Sequence, residues 1–148
     1  MLQGNVMEND FHTLKGYELS ESKKMTYAME DYLEMICRIS QLKGFARVGE
    51  LSQALNVRPS SVTKIATKMR SLSLIEFEKY GYIVPTAEGM KKGKYLIYRH
   101  EVLHNFLCFV NNSANELEQV EKIEHFLDVK TVKNIDKLVL KCKKYQQG

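Results

Sequence analysis

Two short stretches of this chain carry residue types that could do chemistry. His100-Glu101-Val102-Leu103-His104 has the His-Glu-x-x-His spacing. On a helix, residues four apart share a face, so two imidazoles could hold one zinc ion while the glutamate activates its water. Three fixed residues are a weak signature, because a zinc peptidase also needs a third ligand and a substrate cleft. The second stretch, "VEKIEHFL", places Glu121, Glu124 and His125 at i, i+3 and i+4. On a helix that spacing gathers two carboxylates and an imidazole on one side, as metal ligation requires. Asp31 and Glu34 form another i, i+3 carboxylate pair, and His100 is a further potential contributor. Solvated acidic helix faces are commoner than metal sites, so no one cluster decides the chemistry.

The elements that must position these groups can be read from composition and periodicity. With 148 residues, 44% hydrophobic and 27% charged, the chain suits one compact domain or two small ones sharing a core. No apolar run approaches the roughly 18 residues of a membrane span, and the N-terminus lacks the layout of a signal peptide, which points to a cytoplasmic protein. Three unpatterned cysteines, Cys37, Cys108 and Cys142, suggest neither a disulfide framework nor a zinc finger. Cys37 and Cys108 are expected as buried packing residues. Net charge is +4, unevenly placed: Asn56 to His100 carries nine Lys/Arg against three Glu, whereas Glu101 to Asp128 carries one Lys against six acids. A basic block beside an acidic one fits a nucleic-acid surface next to a cation site.

Residues 1–24 show no sustained period and read as an N-terminal arm or extension. From Thr26, Met29, Leu33, Ile36 and Ser40 fall on one helical stripe that Gly44 ends. Val48, Leu51 and Leu55 mark a second helix. Asn56-Val57-Arg58 interrupt it, and Pro59 opens a third helix with Val62, Ile65, Met69 and Leu72 inward. Two short amphipathic helices joined by a tight turn make a helix-turn-helix. The outer face of the later helix offers Ser60, Ser61, Thr63, Lys64, Thr67 and Lys68, hydroxyls and amines suited to phosphates and base edges. In "LIEFEKYGYIVPT", alternation on both sides of a turn predicts a β-hairpin, with Lys79, Tyr80 and Tyr82 at its tip. Helix, turn, helix, hairpin is the order of a winged helix-turn-helix. Beyond Thr86 the chain is helical, in three stretches whose apolar stripes exceed what about sixty residues can bury among themselves. A second copy of the chain is the simplest partner.

The segments "TYAMEDYLEMI", "VRPSSVTKIATKM", "FEKYGYIVPTAEG", "YRHEVL" and "IEHFL" occur in the order and near the spacing of the diphtheria toxin repressor family of metal-dependent transcription regulators. Over residues 25 to 140 the chain resembles that family, most closely its manganese-transport-regulator branch. The resemblance implies a mainly α fold: a winged helix-turn-helix DNA-binding domain (three helices plus β-hairpin) over 25–88, then an α-helical metal-binding and dimerisation domain over 89–148. It implies metal ligands at Asp31, Glu34, His100, Glu121, Glu124 and His125. The iron-responding branch has a methionine in place of Asp31 and a cysteine in place of Glu121, so these residues imply a harder metal, Mn²⁺, two ions per subunit, with Fe²⁺ as the rival and Zn²⁺, Co²⁺ or Cd²⁺ as substitutes in vitro. His104 departs from the manganese pattern, where a carboxylate is usual. The implied function is a Mn²⁺-responsive repressor of metal-uptake genes, a homodimer on a palindromic double-stranded DNA operator, with no catalytic residues, membrane or small-molecule substrate. A zinc hydrolase using His100, Glu101 and His104 is the reading from another class.

Overall fold

A computed structural model describes residues 13–15, 17, 25–78 and 81–147. The expected arm therefore lies almost wholly outside the described residues, as do Lys79 and Tyr80.

Helix α1, Tyr27–Lys43, begins where the Thr26 hydroxyl accepts the Met29 N–H, and ends at Gly44, whose φ of 89° lets its N–H return to Ser40 O. Its buried residues, Met29, Tyr32, Leu33, Ile36, Cys37 and Ser40, form one stripe, and Asp31, Glu34 and Arg38 lie beside it. α2, Val48–Leu55, stops at Asn56 in the left-handed region, φ 52°. The Val57 N–H then bonds Ser52 O, while the Ser52 hydroxyl bonds Val57 O at 2.6 Å, which locks the turn. α3, Pro59–Ser71, has its proline at the first helical position and buries Val62, Ala66 and Met69.

Strands β1, Ile75–Phe77, and β2, Ile83–Pro85, pair antiparallel with Ile75 opposite Pro85 and Phe77 opposite Ile83. Ala46 adds a pair of 2.8 Å backbone bonds to Ile83, so the hairpin is tied to the α1–α2 connection as well as to α3. The expected winged helix-turn-helix is present in this order.

α4, Ala87–Asn111, opens under a Thr86 cap that accepts from Gly89 N–H and donates to Ser73 O. At about 1.5 Å per residue it is some 37 Å long and serves both halves of the molecule. Leu96 joins the larger core, built from α1, α2, α3 and the hairpin; Leu103 and Leu107 join a smaller one with Val120. α5, Leu117–Ile123, leads into a 3₁₀ turn, Glu124–Phe126, and Asp128 caps α6, Val129–Gln146. Glu121, Glu124 and His125 do not therefore share one α-helix: the chain tightens at Glu124, and the i, i+3, i+4 argument holds for proximity but not for element. Cys37 is fully buried as expected, whereas Cys108 is only partly covered, and all three cysteines are free. On the distal helices Leu117, Phe126, Val129, Leu138, Leu140 and Tyr145 are exposed, the apolar surplus read from the sequence.

Two glycines set how closely α4 approaches its neighbours. A Cβ on Gly89 would stand 1.8 Å from the Leu74 carbonyl oxygen, and one on Gly93 would stand 2.1 Å from Cys37 Sγ. Gly49, in α2, has nothing within 4 Å of that position. Alanine ordinarily gains up to about 1 kcal/mol over glycine inside a helix. We therefore expect opposite signs in urea unfolding: Gly49→Ala neutral to about 1 kcal/mol stabilising, and Gly89→Ala destabilising by about 1–3 kcal/mol because backbone must move.

Candidate metal centre

Three elements converge between the two cores. α1 contributes Glu30, Asp31 and Glu34, α4 contributes Arg99 and His100, and the end of α5 with the following turn contributes Glu121, Glu124 and His125. Two sets of donor atoms lie within 4.8 Å of one another: Asp31, Glu124 and His125, and Glu34, His100 and Glu124. Glu124 belongs to both and is 1% exposed. Its Oε2 is 3.3 Å from His100 Nδ1 and its Oε1 is 3.8 Å from His125 Nε2, so it stands between the imidazoles. Asp31 Oδ1 lies 3.1 Å from His125 Nε2. Glu121 falls outside both sets, yet its Oε1 is 3.6 Å from His100 Nδ1 and its side chain is 53% exposed. Asp31, Glu34 and Glu121 line a cavity of about 280 Å³ together with Met35, Ala54 and Leu55. All six residues expected as ligands are thus in one neighbourhood, five of them in the two compact sets.

The donor set fits a divalent cation. It offers carboxylate oxygen and imidazole nitrogen without thiolate, since Cys37 is buried with Sγ directed to Gly89 O at 3.7 Å. Oxygen-rich sites with some imidazole suit the harder first-row ions. A carboxylate as buried as Glu124 is costly unless it is paired or coordinates a cation.

Protonation describes the same balance of charge. Burial pulls His125 down, but hydrogen bonds to Asp31 and Glu30 and their charges outweigh it and raise the imidazole to about 9. His100 is also raised, by its bond to Glu124 first, against burial. Glu34 and Glu121 are pushed above the ordinary carboxylate range by burial and then by the charge of Glu124. Glu30 is held below it, because His125 and Arg99 overcome the effect of burial.

His100 and His104 do not converge. His100 faces Glu124 and Glu121, whereas His104 Nε2 accepts the Glu116 backbone N–H at 3.2 Å and lies 3.6 Å from Cys108 Sγ. His104 thus holds the start of α5 against α4, and Glu101 is exposed. The sequence reading missed Glu30 and Arg99. Arg99 could have been suspected, because it falls between Leu96 and Leu103 on an apolar stripe, where a guanidinium needs a buried partner.

On the expected DNA surface, Ser60, Ser61, Thr63, Lys64, Thr67 and Lys68 are all exposed along α3. The Thr63 hydroxyl donates to Pro59 O and the Thr67 hydroxyl to Thr63 O. Both hydroxyls are thus engaged with the backbone of their own helix, and Lys64 and Lys68 place positive charge along the same exposed face. At the hairpin Tyr82 is half-exposed and packs on Phe45 with ring centroids 4.1 Å apart, while Arg47 donates to the Tyr82 hydroxyl. Phe45 and Arg47 were not anticipated. Arg70 Nη1 donates to Phe77 O at 2.9 Å, fixing the hairpin to α3.

Comparison with known proteins gives the family and the fold. The family described as "Iron dependent repressor, N-terminal DNA binding domain" matches residues 17–83. The HTH-type transcriptional regulator MntR of Oceanobacillus iheyensis is 42% identical over 115 residues, 77% of this chain and 78% of that protein. Its namesake in Bacillus subtilis is also 42% identical, over 77% of this chain and 81% of its own length. Among solved structures, the manganese regulator SloR superposes with a TM-score of 0.67 at 23% identity, covering 78% of this chain and 54% of that one. ScaR with bound Zn²⁺ superposes with a TM-score of 0.61 at 26% identity, covering 75% and 53%. The chain spans about half the length of those solved proteins, and at 23% identity the SloR likeness is one of fold.

The raised His125 has a consequence for the metal-free protein. A group raised from an ordinary 6.5 to about 9 stabilises the fold fully below the unfolded value, and that contribution is lost as pH rises through the folded value. With chelator present, NMR titration of His125 should show a midpoint near 9. Between pH 6.5 and 9 the urea midpoint should fall more steeply than in His125→Gln. A midpoint near 6.5 would contradict the ion-paired geometry.

Proposed function

This chain belongs to the diphtheria toxin repressor family of metal-dependent transcription regulators, and on that premise we propose that it couples Mn²⁺ to DNA binding through the six-residue centre. It is a DNA-binding transcription regulator and not an enzyme. The single observation that carries the metal assignment is Glu124, a carboxylate withdrawn from water and shared between the two donor sets, each with an imidazole of its own. Asp31, Glu34, His100, Glu121, Glu124 and His125 would hold two ions per subunit. A bound divalent ion supplies the positive charge that lets these carboxylates lie together. The absence of a thiolate from the set favours Mn²⁺ over the Fe²⁺ reading, while Zn²⁺, Co²⁺ and Cd²⁺ can occupy oxygen and nitrogen donors in vitro by affinity alone.

The rest of the proposal follows from which element carries each group. We take residues 25–88 as the DNA-binding unit and 89–148 as the metal-binding and dimerisation unit, with α4 reaching into both cores. Asp31 and Glu34 ride on the first, His100 and the Glu121–His125 segment on the second. Without a cation their carboxylates repel, which weakens the preference for one orientation. In a homodimer joined through the distal helices, with their exposed Leu117, Leu138, Leu140 and Tyr145, a fixed orientation sets the separation of the two α3 helices. Half-sites one turn apart, about 34 Å, would then be met together on a palindromic operator. Affinity for metal and affinity for operator must rise by the same factor. Among the described residues no helix is long and apolar enough to cross a membrane, and a cytoplasmic repressor of metal-uptake genes is the role we assign.

Anaerobic anisotropy titrations on palindromic operators, with Mn²⁺, Fe²⁺, Zn²⁺ or chelator, test this directly. Mn²⁺ should tighten wild-type binding by about 5- to 150-fold, and Glu121→Ala and His125→Ala should remain folded dimers with under about twofold stimulation, well below that range. Unchanged stimulation in both variants rejects the ligand set. In the same assay Lys64→Ala or Lys68→Ala should weaken binding across all sequences and lower the slope of log affinity against log salt by about 1.

A further inference from the structure

Behind the centre stands a buried ion pair that is not among its expected ligands. Arg99 is 4% exposed, and its Nη1 lies 3.0 Å from Glu30 Oε2. Both residues face the Nδ1 edge of His125: Arg99 Nη2 at 3.4 Å and Glu30 Oε1 at 3.6 Å. The opposite nitrogen, Nε2, faces Asp31, and the Tyr27 ring stacks on the imidazole with centroids 5.1 Å apart. Consecutive residues of α1 therefore bracket the imidazole, one carboxylate to each nitrogen. Consecutive residues of α4 divide in the same way, Arg99 behind the centre and His100 within it.

Packing alone does not account for the pair. Arg99 occupies a position on the apolar stripe between Leu96 and Leu103, and its Nε has no hydrogen-bond partner among the described residues. A buried ion pair with incomplete hydrogen bonding is commonly no better for stability than apolar side chains of similar volume.

Its geometry answers a question that the imidazole itself poses. Nδ1 meets a donor, Arg99, and an acceptor, Glu30. If the guanidinium donates to Nδ1, the ring proton sits on Nε2 and blocks the nitrogen that faces Asp31. If Glu30 accepts from Nδ1–H, Nε2 carries a lone pair toward the centre. A metal-bound histidine is ordinarily oriented by such an acceptor on its other nitrogen.

We propose that Glu30 and Arg99 form a positioning clamp: Glu30 accepts a hydrogen bond from Nδ1–H of His125 and so leaves the Nε2 lone pair facing the metal, and Arg99 holds Glu30 in that place and out of the ligand set. The assignment rests on His125 being a ligand. The clamp is a positioning device, since neither member belongs to either donor set.

The experiment reads the tautomer and metal affinity separately. ¹⁵N NMR of metal-free protein, above the titration of His125, should find the proton on Nδ1 in wild type and shifted toward Nε2 in Glu30→Ala. Mn²⁺ affinity, measured from free-ion EPR without DNA, should fall about 10- to 100-fold in that variant. Glu30→Gln, which keeps an acceptor oxygen, should recover part of both. Because Glu30→Ala leaves Arg99 buried and unpaired, the double variant Glu30→Leu/Arg99→Met serves as the folded reference; it should keep its circular dichroism and still lose affinity and tautomer preference. Wild-type affinity and tautomer in the double variant overturn the clamp while leaving the metal centre intact. Failure of wild type to bind Mn²⁺ overturns the metal reading and the clamp with it.

Discussion

Burial of the Glu124 carboxylate between His100 and His125 takes a full negative charge out of water, and the elements around it are arranged to supply positive charge in return. An unpaired ion at 1% exposure would cost several kcal/mol, roughly, even after relaxation. The imidazoles meet that need when protonated, each raised by the carboxylates it faces. The centre is therefore not an open acidic cluster waiting for any cation. A divalent ion must displace protons from the imidazoles to reach their nitrogens, so occupancy depends on pH as well as on metal concentration.

Holding those groups in register is the task of α4. It passes close enough to Leu74, just before β1, and to α1 that Gly89 lies against the Leu74 carbonyl and Gly93 against Cys37, which brings Arg99 to Glu30 and His100 to the same side of α1 as Asp31 and Glu34. Farther along, the same helix packs Leu103 and Leu107 on Val120, while His104 bonds the Glu116 N–H at the start of α5. These contacts fix where the Glu124–Phe126 turn arrives. The tilt of one long helix thus sets the distance between donor groups far apart in sequence.

Much of this was legible in the residues. Thr26, Gly44, Asn56, Pro59 and Thr86 act at helix ends through local backbone chemistry, so the sequence places those ends well, whereas the Asp128 cap of α6 was not read from it. The winged helix-turn-helix and five close-set expected ligands followed from periodicity together with family resemblance. The 3₁₀ turn at Glu124 was not visible, because spacings of three and four bring side chains together on either kind of helix. Glu30 and Arg99 escaped notice because each is next to a more recognisable residue and they meet only through tertiary packing. The inward hydrogen bonds of Thr63 and Thr67 were invisible for a different reason: composition names a hydroxyl but not the carbonyl it has already found.

His100 and His104 show how far a motif can mislead. They are one turn apart on the same helix, yet one faces a buried carboxylate and the other a backbone amide, because the segment that folds over α4 supplies different partners at each level. On the proposed reading, what links the first histidine to α3 is short-range. Leu33 and Ile36 of α1 share one core with Val62, Ala66 and Met69 of α3, and the opposite flank of α1 carries Asp31 and Glu34. A shift of α1 toward or away from Glu124 must therefore carry α3 with it as a packed unit, since close-packed cores move as bodies before they deform. No chain of intermediates is needed between these two carboxylates and α3, because the helix that carries Asp31 and Glu34 shares its core with α3.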